Sequence, residues 1–371
     1  MSRLKIVFLA LFASMLMIGC DGDFRELAKG NTREVVVVMD SSKWESQTAN
    51  AIRNTFGRYV LTVPNGEPSY DLTFLDIHTQ AQLDRIKRQK NIIFAAPFDE
   101  ESNVGRQVRG FLDEQVEELV KQGNSFAFPL EDQWYRDQFA LILTSTSDSA
   151  LAAKIENTEE ELVGRLFEKE MKRWTYFVFK KKEQTQFSDS MWANHGFKVR
   201  IQHDYVQGVD TTDFMTFRRP LTHNDRWMWV WWKNDVEDDS FVDADWINKM
   251  RDSLNQQYIK GSKDSRHVTT YYGSPRSRPV KTDQFETGDR LIGYETRGTW
   301  TMVNAAMGGP FVNFTYYDPL TDRLFMIEYA QFAPSVRKKL PFVRQFRAMG
   351  RTFESDSTWT PDSENKEGPA I

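Results

Sequence analysis

The first half of the chain alternates short apolar runs with amphipathic stretches. Glu34–Met39 is a β-branched run, and after Asp40–Ser42, which are helix-capping residue types, apolar side chains recur at helical spacing as far as Phe56. The same reading predicts further strands at 70–77, 91–96, 126–128 and 139–144, and helices at 79–90, 104–120 and 147–179. Because strands alternate with helices, residues 34–180 predict an α/β-like layered sub-domain.

The second half is mainly strand. Alternating apolar positions predict strands at 198–205, 214–218, 226–232, 268–272, 290–302, 310–316 and 323–332, and helices at 239–258 and 335–353. Residues 181–196 are polar without a clear period, so they predict a linker, followed by a C-terminal sub-domain over 197–353. We therefore expect an α+β protein with two layered sheet-plus-helix sub-domains.

The N-terminus has the layout of a lipoprotein signal peptide. Arg3 and Lys5 precede an apolar run from Ile6 to Ile18, which is shorter than the roughly 20 residues that a spanning helix needs. Met17–Cys20 resembles the bacterial lipobox, so we expect residues 1–20 to form a lipoprotein signal peptide that is cut at Cys20, and Cys20 to carry lipid on the mature protein. The alternative is a plain signal peptide in which the cysteine is incidental.

Cys20 is the only cysteine of the chain, which excludes an intramolecular disulfide and favours lipidation as its role. Buried acyl chains contribute about 0.8 kcal/mol per CH₂, so we expect the membrane to be a partner through this lipid anchor. Residues 21–33 predict a flexible tether. Residues 354–371, rich in Ser, Asp, Glu and Pro, predict a disordered tail.

The net charge and the composition of the chain limit the kinds of molecule that it is expected to bind. The formal net charge of the chain is −5, and it becomes −7 when Arg3 and Lys5 leave with the signal peptide. This balance excludes nucleic acid as an expected partner, because phosphate binding requires a basic surface. Aromatic residues make up 13% of the chain, including 11 tryptophans, which is enough to build a substantial core.

Two glycine-containing motifs resemble a known family. The residues that carry the resemblance are Tyr294–Trp300, Met307–Val312, Phe332–Pro334 before a basic helix and, nearer the start, Val36–Asp40, Trp44, Pro64–Asp71, Trp134 and Gln138. Together they resemble Bacteroidota lipoproteins of domain-of-unknown-function family 4837 over nearly the whole mature chain. The resemblance implies a cell-envelope protein, in the outer membrane, and it implies no established activity.

The first candidate ligand site comes from the C-terminal motifs. Arg297 could bind a carboxylate or phosphate, and Gly308 and Gly309 could let backbone approach a ligand beside Trp300. No helix start follows the glycines, as a phosphate-binding loop would require. The alternative is turn geometry at the end of a strand, with a structural pair between Arg297 and a carboxylate.

The second candidate is a row of tryptophans. Trp227, Trp229 and Trp231 alternate, so in a strand their indoles share one face and could stack on a sugar or a peptide. The alternative is a central strand buried on both faces, because large aromatic side chains dominate cores.

Other patterns indicate no recognisable chemistry. An EF-hand loop that begins at Asp235 would have Ser240 and Trp246 where glycine and glutamate are required, so the acidic run indicates a helix start. The five histidines lack metal-ligand spacing, and nucleophile-elbow, Walker and dinucleotide motifs are absent from the sequence. We expect no cofactor and no metal. The basic helix at 335–353 predicts either an apolar stripe packed on a sheet with a solvated charged face, or a membrane-surface helix.

These observations favour a non-catalytic envelope lipoprotein that binds another envelope protein, a glycan or another ligand. The alternative is an envelope hydrolase whose site would gather His203 or His223 with carboxylates and a nucleophile.

Overall fold

The chain has the predicted α+β character, with two units that are each built on a main sheet covered by helices. The computed structural model describes residues 23–263, 265–273, 278–288 and 290–359. The predicted signal peptide and Cys20 lie outside these residues. Contacts group residues up to Ala49 with Thr73–Lys154 in a first unit, and Asn50–Leu72 with the chain from Ile155 onward in a second.

The helices and strands follow one another through both units. The helices are α1 (Gln47–Phe56), α2 (Gln80–Ile86), α3 (Asn103–Arg109), α4 (Glu114–Lys121), α5 (Asp148–Asn157), α6 (Glu159–Phe179), α7 (Thr185–His195), α8 (Ala244–Tyr258) and α9 (Leu340–Gly350). The strands are β1 (Glu34–Val38), β2 (Tyr59–Val60), β3 (Glu67–Pro68), β4 (Asp71–Leu75), β5 (Asn91–Ala95), β6 (Ala127–Glu131), β7 (Phe139–Leu143), β8 (Phe197–Lys198), β9 (Val206–Asp210), β10 (Phe214–Arg219), β11 (Asp225–Lys233), β12 (Val268–Thr270), β13 (Lys281–Glu286), β14 (Ile292–Met302), β15 (Ala305–Asp318), β16 (Arg323–Phe332) and β17 (Glu354–Ser355). Within the described ranges, no helix is both long enough and apolar enough to span a membrane.

The first unit contains a five-stranded sheet in the order β4-β1-β5-β7-β6. Strands β1, β5 and β7 run parallel, and β6 is antiparallel to β7. Strands β5 and β7 are buried along their whole length, as expected for parallel strands covered on both faces. Leu83 of α2 and Val104 of α3 join the apolar cluster around Phe94. This arrangement agrees with the α/β-like layering predicted for the first half.

The second unit contains an antiparallel sheet in the order β12-β14-β15-β16-β11-β10-β9, with β13 paired to β14. Its strands alternate between two covered faces. On one face, Ile247 and Leu254 of α8 pack against Trp229. On the other, Val343 and Phe346 of α9 pack in the cluster that contains the opposite side chains of β11, β15 and β16. We call these the α8 face and the α9 face.

Helix α9 confirms the predicted apolar stripe and corrects the predicted solvated charged face. Leu340, Val343, Phe346 and Met349 are buried in the core. The basic side chains on the helix are also drawn inward, because carboxylates of the second unit pair with them: the pairs are Arg344 with Glu170, Arg347 with Glu295, and Arg351 with Glu168 and Glu295.

Residues 50–72, which contain most of α1 and the β2–β3 hairpin, are part of the second unit, and we call them the hairpin segment. Glu67 accepts hydrogen bonds from the backbone N–H groups of Lys339 and Leu340 at 2.5 and 3.0 Å, and so caps the start of α9. The hydroxyl of Tyr70 donates to Glu170 of α6 at 3.0 Å. The first part of the second unit therefore comes from sequence that precedes most of the first unit.

The predicted linker at 181–196 is wrong, since residues 185–195 form helix α7. The helix is held to the second unit by the buried side chain of Met191 and by Ser188, whose hydroxyl donates to the carbonyl of Val199 at 2.9 Å. Its apolar residues do not form a regular stripe, and that irregularity hides the helix in the sequence. Contacts divide the chain instead after Lys154.

The predicted tether at 21–33 is also corrected over its described part, residues 23–33. The backbone N–H of Ala28 donates to Arg136 at 2.9 Å, and the N–H of Lys29 donates to Arg88 at 2.7 Å. Lys29 accepts in turn from Lys90 at 2.7 Å. These main-chain hydrogen bonds hold the segment to the first unit, and hydrogen bonding of this kind is not visible in composition.

The first residues of the predicted disordered tail, 354–359, are ordered in the second unit. Strand β17 pairs with β8, and the hydroxyl of Ser355 donates to Asp318 at 2.7 Å. Trp359 is buried, and the guanidinium carbon of Arg323 lies 3.8 Å from its ring centroid. The remainder of that predicted tail, 360–371, lies outside the described residues.

Candidate functional site

Strand β11 places its alternating tryptophans on the α8 face, as the sequence predicts. Trp227, Trp229 and Trp231 face α8, while Met228, Val230 and Trp232 lie on the α9 face. Trp229 is fully buried, and its Nε1 donates to Asn255 of α8 at 3.1 Å. Trp229 is therefore part of the core and cannot stack on a ligand from solvent, which corrects its assignment as a binding residue. Only Trp227, at the end of the row, is half-buried.

Trp300 of β14 packs against Trp227 from across the sheet. Their ring centroids lie 5.2 Å apart with an interplanar angle of 64°, an edge-to-face arrangement favoured by aromatic quadrupoles. The Nε1 of Trp300 donates to the carbonyl of Gln331 at 3.2 Å. The sequence-predicted residues Trp227 and Trp300 thus lie together, at one end of the α8 face. Trp300 is fully buried, so it supports Trp227 and does not itself offer a surface to a ligand, which corrects its assignment as a binding residue.

Gly308 and Gly309, the two glycines of the predicted site, leave space for the strand packing around Trp300. Gly309 lies directly opposite Trp300, and a Cβ at Gly309 would overlap the carbonyl oxygen of Gln331 and lie 2.9 Å from Nε1 of Trp300. A Cβ at Gly308 would lie 2.8 Å from the carbonyl oxygen of Trp300. Both glycines lie within strand β15 and not in a turn, and they permit close approach between neighbouring strands instead of the approach of a ligand.

The end of α8 leaves part of this face uncovered. The helix ends at Tyr258, and beyond it a cavity of about 600 Å³ opens over Trp227 and Trp300. We call this cavity the aromatic cleft. Its lining consists of Thr216, Phe217, Arg218, Asp225, Trp227, Tyr258, Ile259, Lys260, Gly261, Ser262, Arg266, Val268, Trp300, Met302, Met307 and Phe332.

The aromatic cleft combines an apolar floor with a hydrogen-bonding edge. Arg218 and Trp227 are cross-strand partners, and Arg218 makes a two-bond ion pair with Asp225 at 3.0 and 2.6 Å. Nε1 of Trp227 is buried and has no hydrogen-bond partner among the described residues. Lys260 and Arg266 add positive charge to the lining. The cleft can therefore hold a ligand that has one apolar face and polar groups along its edge.

The structure separates Arg297 from the tryptophans. Along β14, Trp300 points to the α8 face, whereas Arg297, an odd number of residues away, points to the α9 face. There Arg297 pairs with Asp283 of β13, and its Nε lies 3.1 Å from Oε1 of Glu295. The predicted site thus divides into an aromatic part and a charged part on opposite faces of one sheet.

The charged part centres on Glu295, which the sequence does not single out. Its carboxylate is 2% exposed and lies 2.6 Å from Nε of Arg347 and 3.5 Å from Nη2 of Arg351. Burial acts to raise the pKa of Glu295, but the charges of Arg347, Arg297 and Arg351 outweigh it and lower the pKa to about 2. The sequence signal for this buried carboxylate is the run of arginines on α9. Those arginines indicate buried carboxylate partners only when it is known which face of the sheet the helix covers.

The residues proposed for a hydrolase do not assemble. His223 is exposed, and His203 lies 3.3 Å from both Asp204 and Arg219. Burial lowers the pKa of His203, and Asp204 opposes that effect. Neither histidine lines the aromatic cleft. The acidic run at 235–245 forms the approach to α8, where Asp243 caps the helix by accepting from the N–H of Trp246 at 2.7 Å.

Two family models match the chain. Residues 184–352 match Domain of unknown function (DUF4837), and residues 28–178 match Domain of unknown function (DUF8532). The first match supports the family resemblance carried by the C-terminal motifs, all of which lie inside it. The N-terminal residues that suggested the same family, such as Trp44 and Trp134, lie in the part that matches the second model. The DUF4837 match is thus confined to the second half, and neither description states an activity.

Comparison with individual proteins does not indicate a function for this chain. No curated protein sequence matches this chain significantly. The crystal structure of the Saccharomyces cerevisiae Ran-binding protein Mog1p matches at 7% identity and a TM-score of 0.28, covering 43% of this chain and 90% of that one. Human StAR-related lipid transfer protein 5 matches at 11% identity and a TM-score of 0.19, covering 49% and 92%. Neither score is high enough to support a shared fold or a shared activity.

Proposed function

We propose that this chain is a non-catalytic binding protein of the cell envelope, held at a membrane by lipid on Cys20, whose aromatic cleft binds a sugar-containing ligand. The observation that carries the proposal is the uncovered end of the α8 face, where the half-buried Trp227, backed by the buried Trp300, lies under a cavity of about 600 Å³. This volume lies within the range of about 300–1,000 Å³ that is typical of small-molecule sites.

The lining of the cleft favours sugars over purely apolar ligands. A sugar ring has an apolar face that packs on an aromatic side chain and hydroxyls that need donors and acceptors at its edge. Trp227 offers a partly exposed aromatic surface, the Arg218–Asp225 pair lies beside it, and Lys260 and Arg266 add donors to the lining. A purely apolar ligand would remove water from the charged groups of this lining without forming hydrogen bonds to them, which costs free energy.

The envelope setting supplies ligands of this class. The signal-peptide layout and the lipobox-like Met17–Cys20 support export and anchoring, and glycans are abundant in bacterial envelopes. The net charge of −5 argues against nucleic acid as the partner.

Substitution of Trp227 tests the proposal. We expect the chain from residue 21 onward to bind at least one member of a panel of soluble oligosaccharides, namely maltoheptaose, xylohexaose, chitohexaose and mannan fragments, in titration calorimetry. Trp227→Ala should weaken that binding about tenfold or more, which corresponds to about 1.4 kcal/mol. The matched control is Trp192→Ala, because Trp192 is 36% exposed and lies outside the aromatic cleft.

Three results would contradict the proposal. Absence of binding across the panel, or equal affinity in wild type and Trp227→Ala, would show that the aromatic cleft does not bind these sugars. Cleavage of a bound oligosaccharide during incubation would show catalysis and would favour the hydrolase alternative. Circular dichroism and thermal melting of both variants establish that a loss of binding does not reflect unfolding.

A further inference from the structure

A second cavity lies on the α9 face of the second unit, away from the aromatic cleft. Its volume is about 540 Å³, and it lies between α6, α9, β13 and the 58–69 segment. Its lining includes Arg58, Phe167, Lys281, Arg297, Arg344 and Arg347. We call it the arginine cavity.

Positive charge predominates in this lining. Five side chains are cationic, namely Arg58, Lys281, Arg297, Arg344 and Arg347, whereas only Glu160 and Asp283 are acidic. Both acids are solvent-facing, with side chains 76% and 58% exposed, so their charges are screened more than those of the buried arginines. Carboxylates outside the lining also pair with its arginines: Glu170 pairs with Arg344, and Glu295 pairs with Arg297 and Arg347. Lys281 is exposed and has no ion pair among the described residues, so the lining offers more cationic N–H donors than these carboxylates occupy.

Two arrangements in the wall place cationic side chains next to one another. Lys281 and Arg297 are cross-strand partners on β13 and β14, a pairing that is unfavourable for like charges. The side chain of Arg347 is 13% exposed and lies close to Arg297, Arg344 and Arg351, and its carboxylate partner is Glu295. Burial, together with repulsion from these arginines, lowers the pKa of Arg347 to about 9 although Glu295 opposes the shift.

The guanidinium group of Arg344 has an N–H donor that forms no hydrogen bond among the described residues. The residue is 4% exposed; its Nη1 lies 3.4 Å from Glu170, and its Nη2 donates to the hydroxyl of Ser69 at 3.0 Å. Its Nε–H is buried and has no hydrogen-bond partner among the described residues. A guanidinium with an unused N–H in a cationic cavity is suited to a carboxylate or phosphate oxygen.

The remaining wall of the cavity is apolar. Val163 and Phe167 of α6 and Leu340 and Val343 of α9 contribute it, and Tyr59 adds an aromatic ring. A bare inorganic ion would leave this apolar surface hydrated. An occupant that matches both parts of the wall has an anionic group joined to an apolar body.

We propose that the arginine cavity binds an organic anion, a phosphate or carboxylate group attached to an apolar chain or ring. The site is independent of the aromatic cleft, which lies on the other face of the sheet. The anionic group lies against Arg344, Arg347 and Arg297, and the apolar body lies against Phe167 and Val343.

Titration calorimetry with small amphiphiles tests this inference. The probes are octyl phosphate and octanoate, both below their micelle concentrations, compared with octanol and inorganic phosphate. We expect saturable binding of at least one anionic amphiphile with one site per chain, about tenfold or more tighter than either octanol or inorganic phosphate. Higher affinity for octyl phosphate or for octanoate identifies the anionic group that the site prefers. Added salt should weaken the binding.

Matched variants locate the binding. Arg297→Gln and Lys281→Glu should each weaken the anionic amphiphile about tenfold or more, whereas Arg165→Gln, a charge loss on an exposed part of α6, should leave it unchanged. Trp227→Ala should also leave it unchanged, because the two cavities are separate. Equal affinity for octanol, equal affinity for inorganic phosphate, equal affinity in Lys281→Glu and wild type, or loss of binding in Trp227→Ala would each overturn the inference. Lys281 is exposed, so Lys281→Glu remains informative if Arg297→Gln fails to fold.

Discussion

At the scale of single residues, Glu295 is the group on which the α9 face depends most. One buried carboxylate faces three guanidinium groups, so its loss would leave buried positive charge without compensation. We expect Glu295→Gln to lower the free energy of unfolding by about 3–5 kcal/mol, measured by urea denaturation at pH 7. The matched control is Glu168→Gln, because Glu168 is 61% exposed and pairs only at the surface with Arg351; its expected cost is about 0–1 kcal/mol.

The same residue predicts a pH dependence. The pKa of Glu295 is about 2 in the folded protein against 4.5 for the free side chain, so the carboxylate stabilises the fold fully above about pH 4.5. That stabilisation is lost as the pH falls towards 2. The difference in unfolding free energy between wild type and Glu295→Gln should therefore shrink between pH 5 and pH 3, and a constant difference over that range would show that Glu295 is not held ionised.

The residue types in the sequence predicted some residues of the candidate site correctly. Whether each of the others can reach a ligand depends on tertiary contacts that the sequence does not show. Trp227 and Trp300 do meet, but Trp229 is closed off by Asn255 of α8, a contact that no local pattern encodes. Gly308 and Gly309 were noticed correctly as positions of close approach, although the approaching group is a strand and not a ligand. Arg297 and Trp300 are neighbours in sequence, yet the period of a strand sends them to opposite faces.

At the scale of elements, the short strand β17 and Trp359 close one end of the second unit. Trp359 packs on Arg323, and Gly196 lies so close that a Cβ there would overlap the indole. We expect Trp359→Ala to lower the unfolding free energy by about 3 kcal/mol, as for other buried large-to-small substitutions, measured by thermal and urea unfolding. Trp192→Ala, at a 36% exposed site, should cost much less. Equal costs for the two variants would show that residues beyond Phe353 do not contribute to the core.

Elements with a strong period were predicted well, and those without one were missed. The central strands and the stripe of α9 follow from apolar alternation and spacing. The predicted helix at 147–179 is two helices, α5 and α6, that meet at Thr158. Strand β13 reads as polar sequence, because it lies at the margin of the sheet and pairs with β14 alone.

At the scale of the whole molecule, the membrane anchor is the expectation that decides where the protein acts. We expect Cys20→Ser to abolish acyl labelling and to move the protein from the membrane fraction to the soluble fraction, because the lipid chains supply the binding free energy. Radiolabelled palmitate incorporation and sedimentation of cell envelopes measure both effects. Unchanged labelling and sedimentation in the variant would show that lipid on Cys20 does not anchor the protein.

Function is the part that the sequence predicted least. The two matched families carry no stated activity, and both cavities are assembled from segments far apart in the chain. The arginine cavity, for example, joins residues near 58, 160, 281 and 344. Such sites depend on tertiary packing, so pattern and motif analysis of one sequence cannot locate them.

The hairpin segment that joins the second unit from before the first has a practical consequence for dissection of the protein. A recombinant fragment that begins at residue 184, where the C-terminal family match starts, would lack both Glu67 at the head of α9 and the Tyr70–Glu170 contact. Such a fragment would expose uncapped backbone and apolar surface and would aggregate, whereas a chain with residues 50–72 fused ahead of residue 155 would retain Glu67 at the start of α9 and the contact between Tyr70 and Glu170.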